Sequence, residues 1–134
     1  MSSEEVHALV LYRLEQADEA LRAAKLLCAE TLYRQAAGRA YYAMFYAVLA
    51  LLAYRGLEAW RHAGAIALFD REFVKAGPFA REHSRRLHGL FDLRQRADYL
   101  EMFEVSADRA ESAVSWAEAF VADVRSHLRG PLGL

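Results

Sequence analysis

Between Arg39 and Arg55 the chain runs for 15 residues, Ala40–Tyr54 (AYYAMFYAVLALLAY), without one charged side chain. A helix that is apolar all round has to be covered all round. A bilayer-spanning helix needs roughly 20 apolar residues. This run is shorter, holds four tyrosines and is bounded by two arginines. It reads as the central helix of a bundle, which makes the chain an all-α protein: an antiparallel bundle of four or five helices.

The rest of the sequence supplies the cover. The 134 residues suit one domain over 1–134, long enough to bury roughly two-thirds of the surface of the unfolded chain. With 55% hydrophobic residues but only 7 Gly and 2 Pro, long helices with few connections are expected. A first helix is predicted from Glu4 to Cys28, where Val10, Leu14, Ala17, Leu21, Ala24 and Cys28 fall on one face. A break at Glu30–Leu32 precedes the central helix, Tyr33–Arg55, which Gly56 stops. A connection over Leu57–Arg61 leads to a third helix, His62–Val74, ended by Ala76-Gly77-Pro78. A fourth is expected from Ala80 to Tyr99, weakened by Gly89, then a loop over Leu100–Val105. Ser106 caps a fifth, whose apolar face is Ala110, Ala113, Val114, Ala117, Phe120, Val121, Val124 and Leu128. Gly130-Pro131 is expected to break it, leaving a core of about residues 5–128 and a mobile tail, 129–134. No strand pattern, repeat or linker appears.

Charge is uneven although the net is −1. Residues 1–30 carry 3 basic and 6 acidic side chains, and residues 97–134 carry 3 and 7. Residues 31–80 carry 6 basic and 3 acidic, and residues 81–96 carry 5 and 2. The basic middle serves either to attract phosphates or to pair with the acidic helices inside the bundle. Cys28, the single cysteine, forms no internal disulfide and reads as a small apolar residue. The acidic start, Met1-Ser2-Ser3-Glu4-Glu5, lacks the pattern of a signal peptide, so a cytoplasmic protein outside the membrane is expected.

Several chemistries have no footing. The glycines are scattered, and neither a His-Glu-x-x-His nor a cysteine-pair signature occurs. The helices also lack the Glu-x-x-His of di-iron bundles. No cofactor or metal is expected. What remains is an Arg, Tyr and His set. Arg39 and Tyr42 are one helical turn apart, as are Tyr42 and Tyr46, and Arg94 and Asp98 are spaced to pair. Arg94 and Tyr99, five apart, stand about 140° apart around a helix, so they border one groove without sharing a face. Tyrosines at this spacing also serve simply as core with a hydroxyl at the rim.

Three stretches together resemble the small HEPN-domain proteins of bacteria and archaea. GRAYYAMFYAVLALLAYRGL (38–57) is similar to their second helix, where Arg-x-Tyr-Tyr-x-x-Phe opens a very apolar segment. RHAGAIALFDREFVKAG (61–77) looks like the following His- or Ser-initiated segment and Phe-x-x-x-Phe-Val helix. LFDLRQRADYLEMFEVSADRAESAVSWAEAFV (90–121) is similar to their Leu-Arg-x-x-Ala-Asp-Tyr helix, loop and final helix. The resemblance implies a homodimer that works in a two-gene module with a nucleotidyltransferase-fold partner, often as toxin and antitoxin. Many HEPN domains are metal-independent endoribonucleases, with Arg and, four to six residues on, His on the fourth helix. In such a site His takes the ribose 2′-OH proton and Arg holds the phosphate. Here Arg94 plus five is Tyr99 and Arg96 plus five is Glu101. Tyrosine, with a reference pKa near 10, is a poor base at pH 7.

The resulting expectation is a nucleotide- or RNA-binding subunit. Arg39, Tyr42, Arg94, Asp98 and Tyr99 border its groove, Arg94 or Arg96 holds phosphate, and Tyr42 or Tyr99 stacks on a base. Two alternatives stand beside it. One is an endoribonuclease using Arg94 and Tyr99, with His62 or His88 in place of the missing base. The other is a non-catalytic dimeric interaction module. By analogy with relatives, Tyr99 is also a candidate for nucleotide transfer by the partner.

Overall fold

The computed structural model describes residues 1–59 and 61–133. Five α-helices are present among them, with no strand: α1 (Ser3–Ala29), α2 (Tyr33–Tyr54), α3 (His62–Phe69), α4 (Arg81–Tyr99) and α5 (Ala107–Leu132). A six-residue π-helical segment, Asp70–Lys75, continues α3. Trp60, in the connection before α3, and Leu134 lie outside the described residues.

α2 is the axle. α1 and α5 pack along it, and α3 and α4 close its other sides. Twelve of its 22 residues are buried, six of them alanines, which lets the neighbouring backbones approach closely. Met44, Val48 and Leu51 are fully buried. By length and composition α2 could cross a membrane, with a mean hydropathy of 1.3 over its most apolar window, but 67% of that window is buried inside the bundle. The covering helices present the expected faces. Val10, Leu14, Ala17 and Ala24 of α1 are buried, with Leu21 and Cys28 packed at the margin. Seven residues of α5, from Ala110 to Leu128, are buried. Burial, and secondarily Glu111, pushes the Cys28 thiol above its ordinary pKa, which favours the protonated thiol over the nucleophilic thiolate.

Local signals set the ends. Ser2 accepts a hydrogen bond from the Glu5 amide and Ser106 one from the Arg109 amide, capping α1 and α5. Gly56, at φ +68°, ends α2 in the left-handed region. Two boundaries differ from the sequence expectation. The third helix does not run as one α-helix to Val74, because from Asp70 it widens into π geometry. The wider turn accompanies two sets of contacts. Phe73 stacks beside Phe69 and meets Phe79 edge-on, while Asp70 accepts hydrogen bonds at 2.6 Å from Ser84 and His88 of α4. The second difference is at the far end. α5 does not break at Gly130-Pro131 but runs to Leu132, which packs on the core, and Gly133 caps it at φ +67°. Pro131 lacks the amide hydrogen that would bond the His127 carbonyl, but it is the penultimate residue of α5, so no further turn has to continue past it.

Most charge is used within the bundle. Lys25–Glu118 and Arg125–Asp18 join α1 to α5. His83, buried in α4, is 2.6 Å from Asp123 of α5. Along α4, Arg85 and Arg86 face Glu82, and Arg96 faces Asp92.

Gly77 is where the chain turns back under Phe73. A Cβ there would lie 2.7 Å from the Phe73 Cα and 2.8 Å from the Glu72 carbonyl oxygen, both backbone. Gly77→Ala is expected to cost roughly 1–3 kcal/mol by overpacking. Gly89, exposed in mid-α4, has nothing within 4 Å of the place a Cβ would take. It should behave oppositely, Gly89→Ala adding about 0.5–1 kcal/mol. Urea titration with an unchanged slope measures both.

Candidate functional site

α2 carries two adjacent tyrosines that separate into different environments, because neighbours on a helix diverge by 100°. Tyr41 is fully buried, while Tyr42 is half-buried at the margin. Arg39, one turn before Tyr42, sets its guanidinium carbon 4.7 Å from the Tyr42 ring centroid. From α4, Arg94 reaches the same ring at 5.2 Å and Tyr41 at 5.8 Å. Two cations thus converge on the negative face region of one phenol. Arg94 Nε is 3.2 Å from Asp98 Oδ2, and its side chain is only 18% exposed. Arg39 makes no ion pair among the described residues. Leu27 at the end of α1, with Gln35 and Gly38 of α2, completes an open groove of about 450 Å³ lined by Arg39, Tyr42, Arg94 and Asp98.

His62, the first residue of α3, meets the same tyrosines from another direction. Its Nδ1 is 2.7 Å from the Tyr41 hydroxyl oxygen. Its ring lies parallel on Phe45, with centroids 4.1 Å apart and planes 2° apart, and stands edge-on to Tyr42 at 5.7 Å. Burial, and secondarily the positive charge of Arg94, pushes the His62 pKa below its ordinary value. Burial pushes the Tyr41 phenol well above its own, outweighing the opposing pull of Arg94. At neutral pH both side chains are therefore uncharged.

Four of the sequence-predicted residues, Arg39, Tyr42, Arg94 and Asp98, line this one groove, and His62 packs behind it. Arg96 is two positions from Arg94, about 200° around the helix, and pairs with Asp92 at 2.9 Å on an exposed face. Tyr99, the last residue of α4, is 75% exposed and is not part of the groove lining. His88 faces Asp70 on the far side of α4. The sequence does not single out Tyr41 and Phe45, which hold His62, or Gln35 and Gly38, which shape the groove floor. The Tyr41-Tyr42 pair is the available signal, since one of two adjacent aromatics on a central helix has to face inward. Among the described residues no three His, Cys, Asp or Glu side chains gather as metal ligands.

Four helices packed around an axial apolar one define a class of small helical proteins, and comparison with known proteins gives the class its name. The model of the HEPN domain matches residues 10–127, and this chain belongs to the HEPN-domain family. It is 38% identical over 126 residues to a Methanocaldococcus jannaschii protein named "Putative toxin MJ0605", covering 94% of this chain and 90% of that one. It is 36% identical over 117 residues to a UPF0332 protein of Thermotoga maritima, covering 87% and 89%. The crystal structure of ST0689, an archaeal HEPN homologue, has the same fold, with a TM-score of 0.70 at 16% identity over 88% of this chain and 96% of that one.

The lowered His62 pKa has a thermodynamic consequence. The unfolded state binds this proton more readily than the native state, so stability falls as pH drops below the unfolded value of about 6.5 and continues falling to the lower native value. His62→Gln removes this contribution. Between pH 7.5 and 5.5 the melting temperature of the wild type should fall further than that of His62→Gln, and proton NMR titration should place His62 below the ordinary histidine midpoint.

Proposed function

We propose that this chain is a nucleotide- or RNA-binding HEPN subunit of a toxin–antitoxin-like two-gene module, acting as a homodimer beside a nucleotidyltransferase-fold partner. The observation that carries the binding role is the convergence of Arg39 and Arg94 on the ring of Tyr42 in an open groove. Guanidinium groups recognise phosphate bidentately, and an aromatic face accepts any base, at about 1–3 kcal/mol per stacked base. The toxin name borne by a relative alignable over 94% of this chain supports the module. Dimer and partner follow from the family resemblance, and the exposed Tyr99, Leu100 and Met102 offer an apolar end for contact. The exposure of Tyr99 also leaves its hydroxyl reachable for nucleotide transfer by the partner.

Titration with adenosine monophosphate and short single-stranded RNA at low salt tests the binding role. Arg94→Ala should weaken RNA binding about tenfold across unrelated sequences. It should also lower the slope of log affinity against log salt by about 0.7, the share of one phosphate contact on a single strand. Absence of binding by the wild type at low salt removes the function. A monomeric mass in light scattering at micromolar concentration removes the dimer.

A further inference from the structure

A carboxylate works against a groove that holds phosphate. Asp98 is the one carboxylate among the described lining residues, and it lowers the formal charge that Arg39 and Arg94 supply from +2 to +1. Resting on the reading that the groove takes nucleotides, we propose that Asp98 makes it selective for guanine, by accepting the two adjacent N–H groups of the guanine Watson–Crick edge.

Positioning Arg94 does not account for this carboxylate. The Arg94 guanidinium already packs against two rings of α2, 5.2 Å from the Tyr42 centroid and 5.8 Å from that of Tyr41, and its side chain is 18% exposed. Its Nε stands 3.2 Å from Asp98 Oδ2, which leaves its outer N–H groups uncommitted to Asp98. Asp98 commits little as well. A carboxylate offers about four lone-pair sites over its two oxygens, and the pairing with Arg94 is the contact that Asp98 makes among the described residues. The side chain is 49% exposed and belongs to the groove wall. Each oxygen therefore keeps the capacity to accept from a ligand bound there.

An acceptor-only group tells bases apart by their donors. Guanine presents N1–H and N2–H side by side, a parallel pair that a carboxylate takes as it takes the two N–H groups of a guanidinium. Adenine and cytosine each set one amino group beside a ring nitrogen that is itself an acceptor, and uracil sets one N–H between two carbonyls. Each of these turns a lone pair toward the second carboxylate oxygen, so one hydrogen bond is made against a repulsion. Unpaired nucleotides expose these edges, and single-stranded RNA is read through them. The Tyr42 ring accepts the face of any base, so it gives affinity without choice, and Asp98 adds the choice. Arg39, on the other wall and outside any ion pair among the described residues, is left for the phosphate. The ligand class is a guanosine monophosphate unit, free or within single-stranded RNA.

Calorimetry of the full chain at low salt with guanosine, adenosine, cytidine and uridine monophosphates reads the preference without any variant. Guanosine monophosphate should bind about tenfold more tightly than the other three, the worth of a bidentate pair over a mismatched edge. Inosine monophosphate, which keeps N1–H but lacks the N2 amino group, should fall between. Asp98→Asn replaces an acceptor oxygen by a donor amide and takes the carboxylate away from Arg94. It should weaken guanosine monophosphate and tighten adenosine monophosphate, whereas a residue that only positions Arg94 would move both in one direction. Circular dichroism should stay helical, since Asp98 is half-exposed. Another of the four nucleotides bound by the wild type as tightly as guanosine monophosphate overturns the inference and leaves the groove reading intact. So does a guanine preference that survives in Asp98→Asn, or inosine monophosphate bound as tightly as guanosine monophosphate. No nucleotide or RNA binding by the wild type at low salt removes the groove reading itself, and this inference with it.

Discussion

The structure depends on covering one helix. α2 buries twelve side chains against four neighbours, and nothing in its sequence offers water a charged face between Ala40 and Tyr54. Burial of such surface is worth about 25 cal/mol per Å², so the helix is unstable alone and firmly held once covered. Small residues decide how it is covered. Ala36, Ala40, Ala43, Ala47 and Ala50 of α2 meet a neighbourhood that includes Ala17, Ala20 and Ala24 of α1 and Ala110, Ala113 and Ala117 of α5, all buried. Short side chains bring backbones close and multiply dispersion contacts. Larger side chains at these positions would push the helices apart and leave the remaining contacts too long.

The same helix lines the candidate groove, so core and groove share an element. Tyr41 is core in every respect but its hydroxyl, and that hydroxyl grips His62. Tyr42, one residue on, faces the groove. The groove therefore inherits the rigidity of the axle. The rings of Tyr41, Tyr42, Phe45 and His62 touch one another, and none can reorient without disturbing buried neighbours. Binding geometry supported by packed rings on a central helix is more exact than geometry supported by a loop.

How far this is legible in the sequence depends on the range of the interaction. The five helices, the caps at Ser106 and Gly56, and the inward faces of α1 and α5 follow from local periodicity and end signals, which act within a few residues. Arg39 with Tyr42 and Arg94 with Asp98 are legible for the same reason, since each pair is one turn of one helix. The separation of Arg96 from Arg94 is latent in the 100° step, although charge alone makes both look like phosphate holders. His62 is not legible as a partner of Tyr41. Its place depends on the path of the chain between Arg55 and His62, which no periodicity describes. The π-helical turn at Asp70 is hidden too, because its register accompanies contacts with Ser84, His88 and Phe79, all distant in the α-helical pattern. Pro131 shows the opposite error: a strong local breaker overridden by a terminal Leu132 that still finds the core.

The electrostatics of the groove shape what it prefers to hold. Asp98 is 3.2 Å from Arg94, so the groove's formal charge from Arg39, Arg94 and Asp98 is only +1, and a phosphate has to share Arg94 with a carboxylate already there. Arg39, free of ion pairs among the described residues, is the cation a phosphate meets without competition. Binding by charge alone would then be weak and quickly lost in salt. A bare phosphate has little else to gain, whereas a ligand with a base adds the Tyr42 face and whatever donors lie beside it. The carboxylate weakens the pull on every anion about equally and so does not itself discriminate by charge; on the proposed reading, discrimination between nucleotides and simple anions would come from the aromatic contact, which nucleotides can make and simple anions cannot. On that reading the Tyr42 ring, which both guanidinium groups face, sets that preference, and the paired charge around it only keeps the electrostatic share of binding small.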